Sequence, residues 1–471
     1  MKRNIILINP PLYFSKGVPH SLDSTVPPLG IMYLASYINQ NSTKFKASII
    51  DITPEKLSLQ QLISKIKKLK PFAIGISSMT PQLQGTVELA KSLKSNLAVR
   101  KCKVFLGGPH ISADPDFINR FPDLFDYAIT GEAEIAFLDS LNKLNQKKPI
   151  PKIQAGKTPL NLDTLPINHN LIKRQLYNQR QSIMFSRGCP FKCYYCSRPA
   201  ISKITRYRSA QNLVAEIKAT YPYHQGKLDF QDDTLTLNHQ KVLEFCKLII
   251  KEDLNLNWRC NTRIDLVNQP LLKAMKQAGC ELIHFGIEAG NEKIRQRVVK
   301  KGSFTNQDIK KVIALCKKLN IKFAGYFIIG HPGEGKKQLN QTKNMILNSK
   351  IDLVGLSIPT PFPGSELFEI AQKQGIISKK IIDQFAKKEL GQGYAGVYPV
   401  FTNNKVSIKY IYNLMAQINR SFYLKPRVLL NRLKQDILSI SKLKQDLLDL
   451  ISLIFKGMSS KKPFQKPGQI K

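Results

Sequence analysis

Three cysteines within eight residues mark where this 471-residue chain could do chemistry: Cys189-Pro190-Phe191-Lys192-Cys193-Tyr194-Tyr195-Cys196. Thiolates at C-x3-C-x2-C spacing, just after a strand-like segment, can wrap one loop around a metal centre. A structural zinc ion needs a fourth protein ligand, and none is near: the next cysteine is Cys246 and the nearest downstream histidine is His224. Three ligands leave a four-iron cluster with one iron open, the state in which a cluster binds substrate as well as carrying electrons. Gly188 and Pro190 suit a tight loop that turns its thiols inward. The other five cysteines are scattered singly and read as small apolar residues, so no disulfide framework is expected.

Such a loop needs a scaffold, and the flanking pattern supplies two. Residues 1–145 alternate strand-like segments (Ile5–Ile8, Ala47–Asp51, Ala73–Ile76, Lys103–Gly107, Tyr127–Thr130) with helix-like ones, which predicts an α/β, Rossmann-like, doubly wound parallel sheet. Ligands of such sheets lie at the carboxyl ends of the strands. Those ends carry Asn9-Pro10-Pro11, Ser77-Ser78-Met79-Thr80, Gly107-Gly108-Pro109 and Gly131-Glu132, residues that would let a large flat ligand approach the backbone and that also suit ordinary turns. Residues 146–178, with four prolines and little periodicity, read as a linker packed along a domain surface. From 179 to 375 six further strand–helix units follow, the first strand being Ser182–Arg187, and they predict a partial TIM-like (β/α)6 barrel with chemistry at the strand ends. Residues 376–471 read as a mostly helical, basic extension. There Leu433, Ile437, Ile440, Leu443, Leu447, Ile451 and Ile454 recur at steps of three or four, the spacing of one helix face.

Lys and Arg number 72 against 33 Asp and Glu, a formal net charge of +39. A hydrophobic fraction of 42% excludes a disordered basic tail protein, and no apolar run reaches the ~18 residues of a membrane span. The apolar run Ile5–Ile8 is too short for a signal peptide, so a cytoplasmic location is expected. The excess charge is spread along the chain and is densest after residue 405, where fourteen basic residues face three acidic ones. Nucleic acid is one reading of such a balance, but the barrel and its cysteine loop leave little chain for a dedicated nucleic-acid module. A basic face for an acidic flavodoxin or ferredoxin, and peripheral contact of the C-terminal helices with anionic lipid, are the readings that remain.

Opening a six-unit strand–helix series with Cys189, Cys193 and Cys196, and with Tyr195 before the last cysteine, the sequence resembles the radical S-adenosylmethionine enzymes. The likeness extends through Asp229-Phe230-Gln231-Asp232-Asp233-Thr234, Arg259-Cys260-Asn261-Thr262-Arg263, Phe285-Gly286-Ile287-Glu288 and Gly325-Tyr326-Phe327-Ile328-Ile329-Gly330. It implies a [4Fe-4S] cluster on the three cysteines, with Tyr195, Gln231, Asp232, Arg263, Glu288 and Ile329 around S-adenosylmethionine. It singles out no catalytic residue. The first 145 residues resemble the cobalamin-binding class of that family, which implies cobalamin against Pro10, Ser77, Met79, Thr80, Gly107, Gly108, Gly131 and Glu132. The usual histidine-bearing loop after the first strand is here Asn9-Pro10-Pro11-Leu12; His20 and His110 lack the motif, so cobalamin without a histidine lower ligand is expected. The resemblance implies a methyltransferase acting on an unactivated carbon through a 5′-deoxyadenosyl radical and methylcobalamin. The alternatives are a non-methylating oxidative cyclase or rearrangement enzyme and a cobalamin-sensing or nucleic-acid-binding module with a structural cluster. The acceptor would be a small molecule, with Ser421-Phe422-Tyr423-Leu424-Lys425-Pro426 resembling the tail of relatives that act on lipids or tetrapyrroles.

Overall fold

The computed structural model describes residues 2–15, 18–20, 26–177, 180–202, 204–300, 304–389, 403 and 405–429. Two six-stranded parallel sheets dominate it. The first runs Phe45–Asp51, Arg3–Asn9, Ala73–Ser77, Lys103–Gly107, Tyr127–Thr130 and Ile153–Ala155. The first strand reads Ile5-Ile6-Leu7-Ile8 because it is buried on both faces, as a central strand between helical layers must be. Ile6 and Ile8 join one core with the helix Leu83–Ser95. Ile5 and Leu7 join another with Leu29–Asn41 and Glu134–Asn145. The strand order reverses between Arg3–Asn9 and Ala73–Ser77, which opens a crevice at the carboxyl ends of these strands.

Part of the expected linker belongs to this sheet. Ile153–Ala155 pairs in parallel with Tyr127–Thr130 and adds a sixth strand, while Leu162 and Leu165 pack beneath Tyr33.

The second sheet holds Gln181–Ile183, Lys227–Phe230, Asn257–Thr262, Cys280–Glu288, Lys322–Ile328 and Leu353–Ser357 in sequence order, a partial barrel. Trp258, Cys260, Ile283, Phe285 and Phe323 pack outward against the helices. The expected strand Ser182–Arg187 is broken: after Ile183 the chain leaves the sheet, and Ser186–Arg187 pairs antiparallel with Arg206–Tyr207. The cysteine loop is therefore the excursion between the two arms of a short ladder at the barrel mouth.

After the last barrel strand the chain returns to the first domain. The helix Lys379–Ala386 packs Ile382 and Phe385 into the core that contains Leu83–Ser95, and Asp383 accepts from Arg120 Nε at 2.8 Å. A later helix, Ile408–Tyr423, buries Ile411, Leu414, Ile418 and Phe422 against the outer layer of the barrel. The apolar stripe from Leu433 to Ile454 lies outside the described residues. No helix among the described residues is long and apolar enough to cross a membrane.

The 146–178 segment is anchored to the barrel by charge. His169 Nε2 meets Glu216 Oε1 at 2.6 Å, Gln181 Nε2 meets His169 Nδ1 at 2.9 Å, and Arg208 pairs with the other oxygen of Glu216. All four side chains are buried. Removing one partner from a buried pair strands the other, so Glu216→Ala is expected to cost about 3–5 kcal/mol. Denaturant unfolding followed by the single tryptophan, Trp258, measures it.

Candidate functional site

A cavity of about 500 Å³ lies between the two sheets, walled by strand ends of the first and the cysteine-loop base of the second. From the first come Asn9, Ser77, Met79, Gly107, Gly108, Gly131 and Glu132; from the second come Arg187, Gly188, Arg198, Gln231 and Asp233. Gly108 has φ +95°, and a Cβ there would sit 2.7 Å from Ser77 Oγ and from Ser78 N. Gly131, at φ +68°, donates its N–H to Ser112 Oγ at 2.8 Å. The Gly107-Gly108 and Gly131 turns thus present bare backbone to the cavity, as a broad flat ligand requires.

Behind these turns the cavity deepens into an apolar slot beside the sheet, lined by Leu7, Leu34, Gly75, Phe105, Ile129 and Phe137. Sequence reading missed this slot. Its signal was Gly75, in mid-strand: a Cβ there would lie 2.8 Å from Leu7 Cδ2 and 3.4 Å from Phe137 Cζ.

The remaining first-domain candidates support the floor. Pro10 is buried and its carbonyl accepts from Gln82 Nε2 at 2.7 Å. Thr80 does not line the cavity; its hydroxyl meets His110 Nδ1 at 3.0 Å. His110 is fully buried, edge-on to Phe117, and burial pushes its pKa down to about 4. Met79, by contrast, is 48% exposed at the cavity rim.

Glu132, besides lining the cavity, is part of an interdomain ion-pair network. Arg187 Nη1 donates to Glu132 Oε2 at 2.9 Å and to Glu134 Oε1 at 2.8 Å, while Arg206 pairs with the second oxygen of Glu132. The Arg187 guanidinium also lies over the Tyr33 ring, 4.6 Å from its centroid. Both carboxylates are consumed by a buried interdomain contact one residue before the cysteine loop begins at Gly188.

Asp232 is likewise taken up by structure. It is fully buried, accepting from Phe185 N at 3.0 Å, Ser186 N at 2.5 Å and Ser186 Oγ at 2.5 Å. Those bonds bend the first barrel strand out of its sheet toward the cysteine loop. Burial raises the Asp232 pKa to about 6 against the pull of these donors. Asp233, one residue on, lines the cavity and holds Arg198 Nε at 2.9 Å. Gln231 also lines it, with Nε2 3.5 Å from Ser182 Oγ.

The cysteine loop packs against groups from the third and fourth barrel strands. Arg263 is forked onto Asp265 through two bonds of 2.9 Å, lies 3.9 Å over the Phe191 ring, and approaches Cys193 Sγ at 4.0 Å. Glu288 sits at φ +68°, a conformation rare for a non-glycine residue, where Tyr195 Oη donates to its Oε1 at 2.6 Å. Burial pushes Glu288 up to about 7, and it pushes the Cys193 thiol up to about 12 with Glu288 adding to the effect. The Cys193 thiol beside this carboxyl stays protonated until a cationic centre draws the proton off. Ile329 is buried, its N–H bonded to Ser357 O at 2.8 Å.

Two family descriptions match this architecture: a B12 binding domain over residues 16–140 and the radical SAM superfamily over residues 183–346. The chain carries a B12-binding domain and a radical SAM domain. It is 29% identical over 450 residues to an uncharacterized methyltransferase of Pyrococcus horikoshii, covering 90% of this chain and 94% of that one. It is 27% identical to the anaerobic magnesium-protoporphyrin IX monomethyl ester cyclase of Rubrivivax gelatinosus, over 77% of this chain and 69% of the relative. The fold is shared with the radical S-adenosylmethionine methyltransferase TsrM of Kitasatospora setae, at a TM-score of 0.68 and 15% identity, with 80% of this chain and 77% of that chain covered. In a B12-binding radical SAM protein the glycine turns and apolar slot fit a corrin with its nucleotide tail, and the three thiols fit a cluster.

Two measurements test these assignments. Asp232→Ala frees Phe185 and Ser186 from their bend, so iron retained after anaerobic reconstitution is expected to fall several-fold while bound corrin is unchanged; a metal and corrin count reads both. His110 is neutral when buried, so it costs stability once pH drops below its unfolded pKa near 6.5. The cost is fully developed below about 4. His110→Gln is therefore expected to gain about 2 kcal/mol on wild type between pH 7 and pH 4.5, read by denaturant unfolding at both pH values.

Proposed function

We propose that this radical SAM protein is a cobalamin-dependent methyltransferase that modifies an unactivated carbon of a small molecule. The observation that carries the reading is the single cavity walled at once by the glycine turns of the first domain and by the root of the cysteine loop. When bound, the cluster and S-adenosylmethionine supply a hydrogen-abstracting radical and the corrin supplies a methyl group. The chain's share is placement. Cys189, Cys193 and Cys196 hold the cluster. Arg263, clamped by Asp265, and Glu288, clamped by Tyr195, offer a cation and a carboxyl beside Cys193 for the methionine carboxylate and amine. Gln231 and Asp233 face the cavity from the second strand. Ile329 backs the adenine side.

The proposal includes a corrin with no histidine beneath it. Among the described residues that line the cavity none is a histidine, and His110 is held in the core by Thr80. In domain terms it places the corrin on 1–145 together with Ile153–Ala155, and the cluster on 179–375. The basic surface supports docking of an acidic flavodoxin or ferredoxin, and the lysine-flanked stripe after residue 430 supports contact with anionic lipid.

The test is anaerobic turnover with methyl-labelled S-adenosylmethionine and fractionated lipid, tetrapyrrole and polar small-molecule extracts. Label in an acceptor together with 5′-deoxyadenosine is the expected result, and Cys193→Ala should lose both while still retaining corrin. Formation of 5′-deoxyadenosine with an oxidised, unlabelled product would replace methyl transfer by ring closure, the activity named for the Rubrivivax relative.

A further inference from the structure

Below the mouth, the inside of the partial barrel holds a set of polar groups that no role above uses. Asp229, Arg259, His284 and Tyr326 lie on four consecutive strands, and their sequence neighbours Leu228, Phe230, Trp258, Cys260, Ile283, Phe285 and Phe327 pack outward. By strand alternation the four side chains face inward. Arg259 is the anomaly. Its Nε is buried without a hydrogen-bond partner, although Asp229 is its direct neighbour across the ladder. Burial raises the Asp229 pKa, opposed by the charges of Arg259 and Arg180, with no hydrogen bond contributing. Tyr326 is 44% exposed and stacks on His284 with ring planes 10° apart, its hydroxyl 2.9 Å from His284 Nδ1. Burial, then the charge of Arg259, pushes the His284 pKa down to about 4. The imidazole is thus neutral, accepts the phenol proton at Nδ1, and keeps a donor at Nε2. Room for the Tyr326 ring comes from Gly355, where a Cβ would lie 2.2 Å from Tyr326 Cδ1.

An unpaired guanidinium and an unpaired carboxylate on one rung define a complementary ligand. Neighbouring strands are about 4.8 Å apart, a gap that a carboxylate and an ammonium on one carbon can fill, each against its opposite. Balanced charge on the protein calls for balanced charge on the ligand, because a simple anion at Arg259 would face Asp229. We propose that the barrel lumen anchors the substrate by an α-amino-acid group, with its carboxylate on Arg259 and the His284 Nε2–H, its ammonium on Asp229, and Tyr326 as a flat wall. Arg259 lies three residues below the strand end at Thr262, about 10 Å at 3.3 Å per residue. Gln231, two residues above Asp229 on the same face, connects this layer to the interdomain cavity. The anchor is therefore distinct from the methionine end of S-adenosylmethionine, which belongs at the cysteine loop, and the reacting carbon would stand well away from the amino-acid group. This inference deepens the methyltransferase reading and rests on it.

Binding, rather than turnover, separates the two. Holoprotein loaded with cluster and corrin is titrated anaerobically by calorimetry with L-phenylalanine, 3-phenylpropionate, 2-phenylethylamine and S-adenosylmethionine. The amino acid is expected to bind at least tenfold more tightly than either half-molecule. Asp229→Asn should erase the preference over phenylpropionate, and Arg259→Gln the preference over phenylethylamine, with S-adenosylmethionine affinity within twofold of wild type in both. Tyr326→Phe, which leaves both charges in place, should keep the preference and guards against a folding defect. Equal or absent binding of the three aromatic probes overturns the assignment, as does a parallel loss of S-adenosylmethionine binding in the two charge variants. Neither outcome touches the methyl-label result.

Discussion

The buried contact of Arg187 with Glu132 and Glu134 is the constraint on which the rest of this structure depends. Two cofactor-binding surfaces built on separate sheets are useful only if they face each other at a fixed separation. Buried ion pairs add little net stability, because desolvation offsets their attraction, but they tolerate few alternative geometries. Here they join the strand end of one sheet to the residue that opens the cysteine loop of the other. Arg206 on the opposite arm of the same short ladder shares Glu132, so both arms that carry the loop are tied to one carboxylate.

From that anchor the loop's direction follows. The Asp232 carboxylate captures two successive backbone N–H groups and ends the first barrel strand two residues before the ladder begins. Downstream, Glu288 holds a left-handed backbone conformation that costs energy, and its carboxyl is fixed by the tyrosine inside the cysteine motif. The loop is thus gripped at its root by charge and near its end by a strained strand terminus, two restraints from different strands.

Most strands were legible because a buried parallel strand must be nearly all apolar; Lys103–Gly107 and Tyr127–Thr130 were read to the residue. Ile153–Ala155 was not, since three half-exposed residues beside prolines carry neither periodicity nor an apolar run. The break in Ser182–Arg187 was hidden because its cause lies 46 residues away, in a carboxylate. Asp232 and Asp233 show the same limit at the site: of two adjacent acids at a strand end, backbone direction alone decides which looks into the cavity. The ion pairs of Glu132, which lines the cavity, were not legible, because Arg187 and Arg206 come from another domain. The loop that carries Cys189, Cys193 and Cys196 was legible because its spacing, with Gly188 and Pro190, is local in sequence.

The helix Lys379–Ala386 gives the chain an unusual connectivity. It follows the barrel yet packs into the first domain's core, with Asp383 bound to Arg120 and Lys388 to the Phe14 carbonyl. The two halves are therefore joined twice along the polypeptide, once by residues 146–178 and again by this return. A protease nick within residues 146–178 would therefore leave a non-covalent complex, with this helix still fastening the barrel half to the first domain's core.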